Sequence, residues 1–101
     1  MGSRLDLQAV LVDILGSSNV YFQPPSNLQM SYPCIVYKRD DIDTDHADNA
    51  PYYSMHRYLV TSIDEDPDSI TYKKIAALPR SAYLRNFVTD NLNHDVLTLY
   101  F

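Results

Sequence analysis

Two glycines in 101 residues leave no material for a phosphate-cradling loop, because such loops bring bare backbone up to the ligand at several glycine positions. The single cysteine, Cys34, excludes an internal disulfide and a multi-cysteine zinc site, and it fits a reducing compartment. Basic residues are few and scattered. Eight Lys and Arg stand against thirteen Asp and Glu, for a net charge of −5, and only Lys38-Arg39 and Lys73-Lys74 are adjacent. Tight nucleic-acid binding needs a concentrated basic face that displaces counterions from phosphate, so this function class is set aside. No apolar run approaches a membrane span, and the first residues lack the continuous apolar stretch of a signal peptide. Met1-Gly2-Ser3 has the opening of a myristoylation signal, but Asp6 stands where Ser or Thr is required.

What remains is ample for one domain, spanning residues 1 to 101, and too short for two. Apolar residues make up 46% of the chain, which distinguishes it from a disordered tail. Nine tyrosines are an unusual share. A ring with a polar tip suits half-buried surfaces and interfaces, and aromatics are equally at home in ordinary strands.

Leu7, Val10, Leu11, Ile14 and Leu15 recur at helical spacing and form one apolar stripe suited to covering a sheet. Ser3 and Asp6 resemble a capping box, and Gly16 is placed to end the helix in a left-handed conformation. Val20-Tyr21-Phe22 is a short strand stopped by Pro24-Pro25. Residues 26 to 31 read as a loop. Pro33 to Tyr37 follows as a central strand, apolar on both faces. Residues 40 to 51 are charged and poor in apolar side chains, and read as a long exposed connection. Arg57 to Ile63 is a third strand. Asp66 is expected to cap a second helix, with Pro67 in its first turn and Asp68 opposing its dipole, running to about Leu78. Ala82 to Thr89 reads as a fourth strand, Asp90 to His94 as a hairpin turn, and Val96 to Phe101 as a fifth strand. The order α-β-β-β-α-β-β indicates an α+β fold, two helices packed on a mainly antiparallel sheet of four to five strands.

Few residues carry candidate chemistry. Asp41, Asp43 and Asp45 alternate like the start of a calcium loop, but His46 and Tyr52 occupy the positions where that loop needs Gly and Glu. His46, His56 and His94 are too far apart for a local metal motif, and Ser54 beside His56 has no nucleophile elbow. The expectation is therefore no catalytic residue, no cofactor and no metal. The C-terminal run carries a different signal. Val96, Thr98 and Tyr100 face one way and Leu97, Leu99 and Phe101 the other, so both faces require cover, from the domain's own sheet, from another subunit, or from both.

Five segments, in order, carry a resemblance: Tyr21-Phe22-Gln23-Pro24-Pro25, Tyr32-Pro33-Cys34-Ile35-Val36-Tyr37, Arg57-Tyr58-Leu59-Val60-Thr61, Ile63-Asp64-Glu65-Asp66-Pro67-Asp68-Ser69 and Asp90-Asn91-Leu92-Asn93-His94-Asp95-Val96. Together they resemble the tail completion or tail terminator proteins of long-tailed, siphovirus-type bacteriophages, over residues 20 to 101 and by pattern alone in the first helix. The resemblance implies a structural virion subunit, assembled in the bacterial cytoplasm. Such subunits form a homohexameric ring at the head-proximal end of the tail tube. The ring stops tube growth and meets the head–tail connector or head-closure protein. Another connector or minor capsid component is the alternative. Phage DNA passes through such a ring without specific binding, and six copies, each at −5, would repel it where acidic groups face the channel. The resemblance implies no catalytic residues and no membrane.

Overall fold

Residues 4–40 and 56–101 are described by the structure, a computed structural model. The Asp41, Asp43, Asp45, His46 and Tyr52 pattern, Ser54 and most of the expected acidic connection lie outside these residues. Helix α1 spans Arg4–Leu15. Leu7 and Leu11, one turn apart, are fully buried, and Val12, Ile14 and Leu15 pack around them. The chain leaves the helix at Gly16, whose φ of +80° is the left-handed ending that glycine adopts without Cβ strain, and its N–H donates to the Val12 carbonyl at 2.8 Å.

The strands are β1 (Val20–Phe22), β2 (Cys34–Arg39), β3 (Arg57–Asp64), β4 (Ser81–Thr89) and β5 (Leu92–Tyr100), with helix α2 (Thr71–Ala76) between β3 and β4. They form one sheet in the order β1-β2-β3-β5-β4. The β1–β2 pair is parallel and the others are antiparallel. The parallel pair requires the chain to cross back over residues 23–33. That return is fastened where the Ser31 N–H donates to the Tyr21 hydroxyl (3.2 Å) and the Asn19 side chain donates to the Pro33 carbonyl (3.3 Å). The fold is α+β with the expected element order, and β2 is an inner strand as its two apolar faces require.

One face of the sheet carries Val20, Ile35, Tyr37, Tyr58, Val60, Leu97 and Leu99, all buried beneath Leu7, Leu11 and Ile75 of the helices. Removing each such side chain from water stabilises the fold by roughly 1.5–3 kcal/mol before entropy is subtracted. Helix α1 packs on β1 and β2, and α2 packs on β5 and β4, so each helix covers one half of the sheet.

Several boundaries differ from the sequence expectation by a residue or two, as where β2 runs on to Arg39 and α2 ends at Ala76, and three differences have a visible cause. Helix α2 begins at Thr71, not after Asp66, and its N-terminal cap position is Ile70. The acidic residues upstream build turns of their own. Asp64 Oδ1 accepts from the Asp66 N–H and Asp66 Oδ1 from the Asp68 N–H, both at 2.9 Å, which uses the aspartates before a helix can form. The hairpin turn is shorter than residues 90 to 94. Thr89 pairs with Leu92, leaving Asp90 and Asn91 as a two-residue turn with φ of +53° and +61°. Both signs fit a type I′ turn, and Asp and Asn tolerate them. Strand β5 accordingly starts at Leu92.

Candidate interaction surface

Strand β5 lies between β3 and β4, so the C-terminal run finds cover inside the domain. Leu97 and Leu99 enter the core beneath the helices, and Val96 is buried on the opposite face. This answers the two-faced pattern within one subunit for these three residues. Tyr100 remains 41% exposed.

The exposed apolar surface is next door. Strand β4 pairs with β5 alone and forms one edge of the sheet. Its nine residues include no buried side chain, and Tyr83, Leu84, Phe87 and Val88 all stand at the surface, Val88 at 62% exposure. A long apolar edge presents unsatisfied backbone groups and sticky side chains together, which is a template for another polypeptide. Two features moderate it. A register shift between Tyr83 and Arg85 forms a bulge at Leu84, and Arg85 places a charge mid-strand.

Side chains along β4 are held in defined positions. The Arg85 guanidinium lies 5.8 Å from the Phe87 ring centre, and Phe87 stacks on His94 at 4.6 Å and 12°. Tyr83 donates to Asp95 Oδ1 at 2.8 Å, and the Asn86 amide donates to the same oxygen at 3.0 Å. The Tyr72 ring of α2 sits 5.5 Å from that of Tyr83. Partial desolvation and the Asp95 carboxylate push the Tyr83 phenol up to about 12. The opposite edge is different. Strand β1 has three residues, followed by Gln23 at a φ of +46° and by Pro24-Pro25, a short edge that cannot continue a ladder.

Among the described residues, those with candidate chemistry are dispersed. His56 and His94 lie toward opposite ends of the sheet, beside Phe101 and opposite Ile63 respectively. The His56 Nδ1 meets an Arg39 nitrogen at 3.1 Å, and Arg57 pairs with Asp40 at 3.3 Å. Cys34 is fully buried, and burial, aided by the Asp64 charge, pushes its thiol up to about 11, which suppresses the reactive thiolate. Among the described residues no three His, Cys, Asp or Glu side chains gather as a metal site, and no helix is long and apolar enough to cross a membrane.

The β4 edge was the part of this surface that reading the chain alone missed. Its apolar content was visible, but exposure depends on strand order, and nothing local says that β5 folds inside β4. Comparison with family models, with curated proteins and with solved structures gives no match.

Proposed function

We propose that the chain is a non-enzymatic structural subunit of a long-tailed phage, a tail terminator that closes into a ring at the head-proximal end of the tail tube. The ring ends tube growth and joins the tail to the head. The observation that carries this reading is the nine-residue β4 edge, which leaves apolar side chains exposed on a domain that already has its own core. The five segments that resemble tail terminators support it from the other direction. They fall on β1, β2, β3, the turn after β3 and the β4–β5 hairpin, so the resemblance follows the sheet and not one loop. Self-association through such an edge must close to avoid a filament, and a ring is the closed form available to a head-to-tail contact. The partners are further copies of the chain, six in the ring, with the tube protein below and the connector or head-closure protein above. DNA traverses the ring unbound.

Electron microscopy of a phage lysate tests the proposal. A phage whose chain lacks Leu99, Tyr100 and Phe101 loses a buried core residue and the pairing of Phe101 with His56. The expected outcome is overlong tails unattached to filled heads. Normal tails on normal heads overturn the assignment. Free tails of normal length beside leaking heads would mark a head-side connector instead.

A further inference from the structure

Strand β4 is regular over only part of its length. The bulge at Leu84 interrupts its ladder at one end and the Asp90-Asn91 turn closes it at the other, leaving Arg85 to Thr89 in unbroken register with β5. The middle residue of this stretch is Phe87, 39% exposed. Charge is placed unevenly about it. Arg85 stands two residues before Phe87, and Asp90 three residues after. The backbone groups alternate in direction. Closure of the two-residue turn at Thr89–Leu92 aims those of Thr89, Phe87 and Arg85 at β5, so those of Asn86 and Val88 face away from the sheet. No other strand of the sheet meets them there.

We infer that in the free chain this edge pairs with the β4 edge of a second copy, antiparallel and about a two-fold axis at Phe87. The inference goes beyond the ring proposed above, since it concerns the chain before it meets a tail tube. In this register Asn86 lies opposite Val88 of the second copy, and these outward-facing residues exchange backbone hydrogen bonds. Phe87 meets its own counterpart in the closer, non-hydrogen-bonded kind of pair, which continues the His94–Phe87 stack across the axis. Arg85 falls opposite Thr89 of the second copy and next to its Asp90, and the axis repeats this contact of opposite charges. A strand with a cation before its centre and a carboxylate after it complements itself when antiparallel, whereas a parallel pair in matched register sets Arg85 against Arg85. The other charges nearby stay out of the contact. Asp95 accepts from Tyr83 and Asn86 within its own chain. Lys73 and Lys74 belong to α2, which sits at the far end of β4, where Tyr72 meets Tyr83 and Ser81 donates to the Ala76 carbonyl. Tyr83 of each copy falls opposite Asn91 of the other, so the two α2 ends lie roughly 26 Å apart along the strands. With five regular residues a side, the contact is far smaller than the roughly 20–30 residues a side of a stable interface. The pair is therefore reversible, and its opening returns the edge for other contacts.

Cysteine cross-linking of the full chain reads the register, because the native Cys34 is fully buried. Partners in a non-hydrogen-bonded antiparallel pair stand about 4.5 Å apart at Cα, within reach of a disulfide. Under mild oxidation F87C is expected to link to itself, and R85C mixed with T89C to form the mixed dimer faster than either links to itself. Thermal unfolding of each variant checks the fold, and the mixed pair decides where F87C does not fold. Sedimentation equilibrium measures the same contact without added thiols. The wild type is expected to dimerise as concentration rises. R85E sets like charges together at both contacts and should weaken the dimer at least about tenfold. D90N, which the left-handed turn position accepts, should shrink that loss in R85E/D90N. A wild type that stays monomeric at millimolar concentration overturns the inference. So does F87C that folds and does not link, R85C that links to itself as fast as to T89C, or R85E that dimerises like the wild type. A dimer as described beside normal tails on the truncated phage counts against the tail-terminator reading alone. Overlong tails beside a monomeric free chain count against the pair alone.

Discussion

The Tyr37 hydroxyl donates to Gln8 Oε1 at 2.6 Å and accepts from the Arg4 guanidinium at 3.2 Å, tying the inner strand β2 to α1. The Gln8 amide then donates to the Val20 carbonyl at 3.1 Å, which adds β1 to the same link. Tyr37 is fully buried, so its polar tip is satisfied where water cannot reach. Phe22 packs against its ring at 5.0 Å, and Arg4 lies over Phe22 at 4.6 Å. Substituting Tyr37→Phe keeps the ring and removes the donor. The expected loss is about 1–3 kcal/mol, the cost of leaving buried polar partners unmade. Urea unfolding measures it, and a midpoint equal to the wild type would remove the role assigned to this link.

Core and edge should respond to substitution very differently. Leu97 is fully buried at the centre of the sheet, between Val60 and Tyr83. Leu97→Ala is expected to cost about 2–5 kcal/mol through lost contacts and a residual cavity. Val88→Lys, at the exposed edge, should stay within about 0.5 kcal/mol of the wild type. Thermal or urea unfolding of the two variants side by side checks the contrast.

The Cys34 thiol gives a built-in reporter of unfolding. Its value rises from 9.0 to about 11 in the folded chain, through burial first and the Asp64 charge second. The folded state therefore holds this proton more tightly than the unfolded state. The stability linked to it is complete below pH 9 and is lost as pH rises toward 11. At pH 8 a thiol reagent should label the native chain slowly and the urea-unfolded chain at once. Fast labelling of the native chain would show that Cys34 is not sealed.

Tyr83 can be read spectroscopically. Its phenol is pushed up to about 12 by partial desolvation and by the bond it donates to Asp95. In an ultraviolet titration, the difference between the wild type and Tyr83→Phe should isolate one phenol ionising near pH 12, above the range of an ordinary tyrosine. Asp95→Asn should move that step down. A difference curve centred near pH 10 would break the proposed pairing.

Much of the fold was legible because its signals are local. The Leu7–Leu11 stripe with Gly16 after it specifies a helix and its end, and Val36 flanked by Ile35 and Tyr37 specifies a two-sided strand. The errors arose where side chains compete with the backbone. Asp66 looked like a helix cap, but Asp64 and Asp66 each find an N–H two residues ahead, and the helix waits until Thr71. Asn93 and His94 looked like turn residues because they are polar, yet Asp90 and Asn91 alone reverse the chain. The exposed β4 edge was hidden for a different reason. Exposure of Leu84 and Val88 follows from β5 inserting between β3 and β4, a relation between segments far apart in the chain.

That insertion has a consequence for how the domain breathes. Strand β4 contributes no buried side chain and has a ladder with one neighbour, whereas β3 and β5 are paired on both sides. Peeling β4 away breaks one ladder, whereas freeing β3 breaks two, so its opening free energy lies below that of β3. Its outward amides should exchange with solvent hydrogen first, and its inward amides next, long before those of β3. A strand that loosens so readily can adjust its twist to whatever settles against it, and a partner that stills it would leave its mark as slowed exchange confined to residues 81–89.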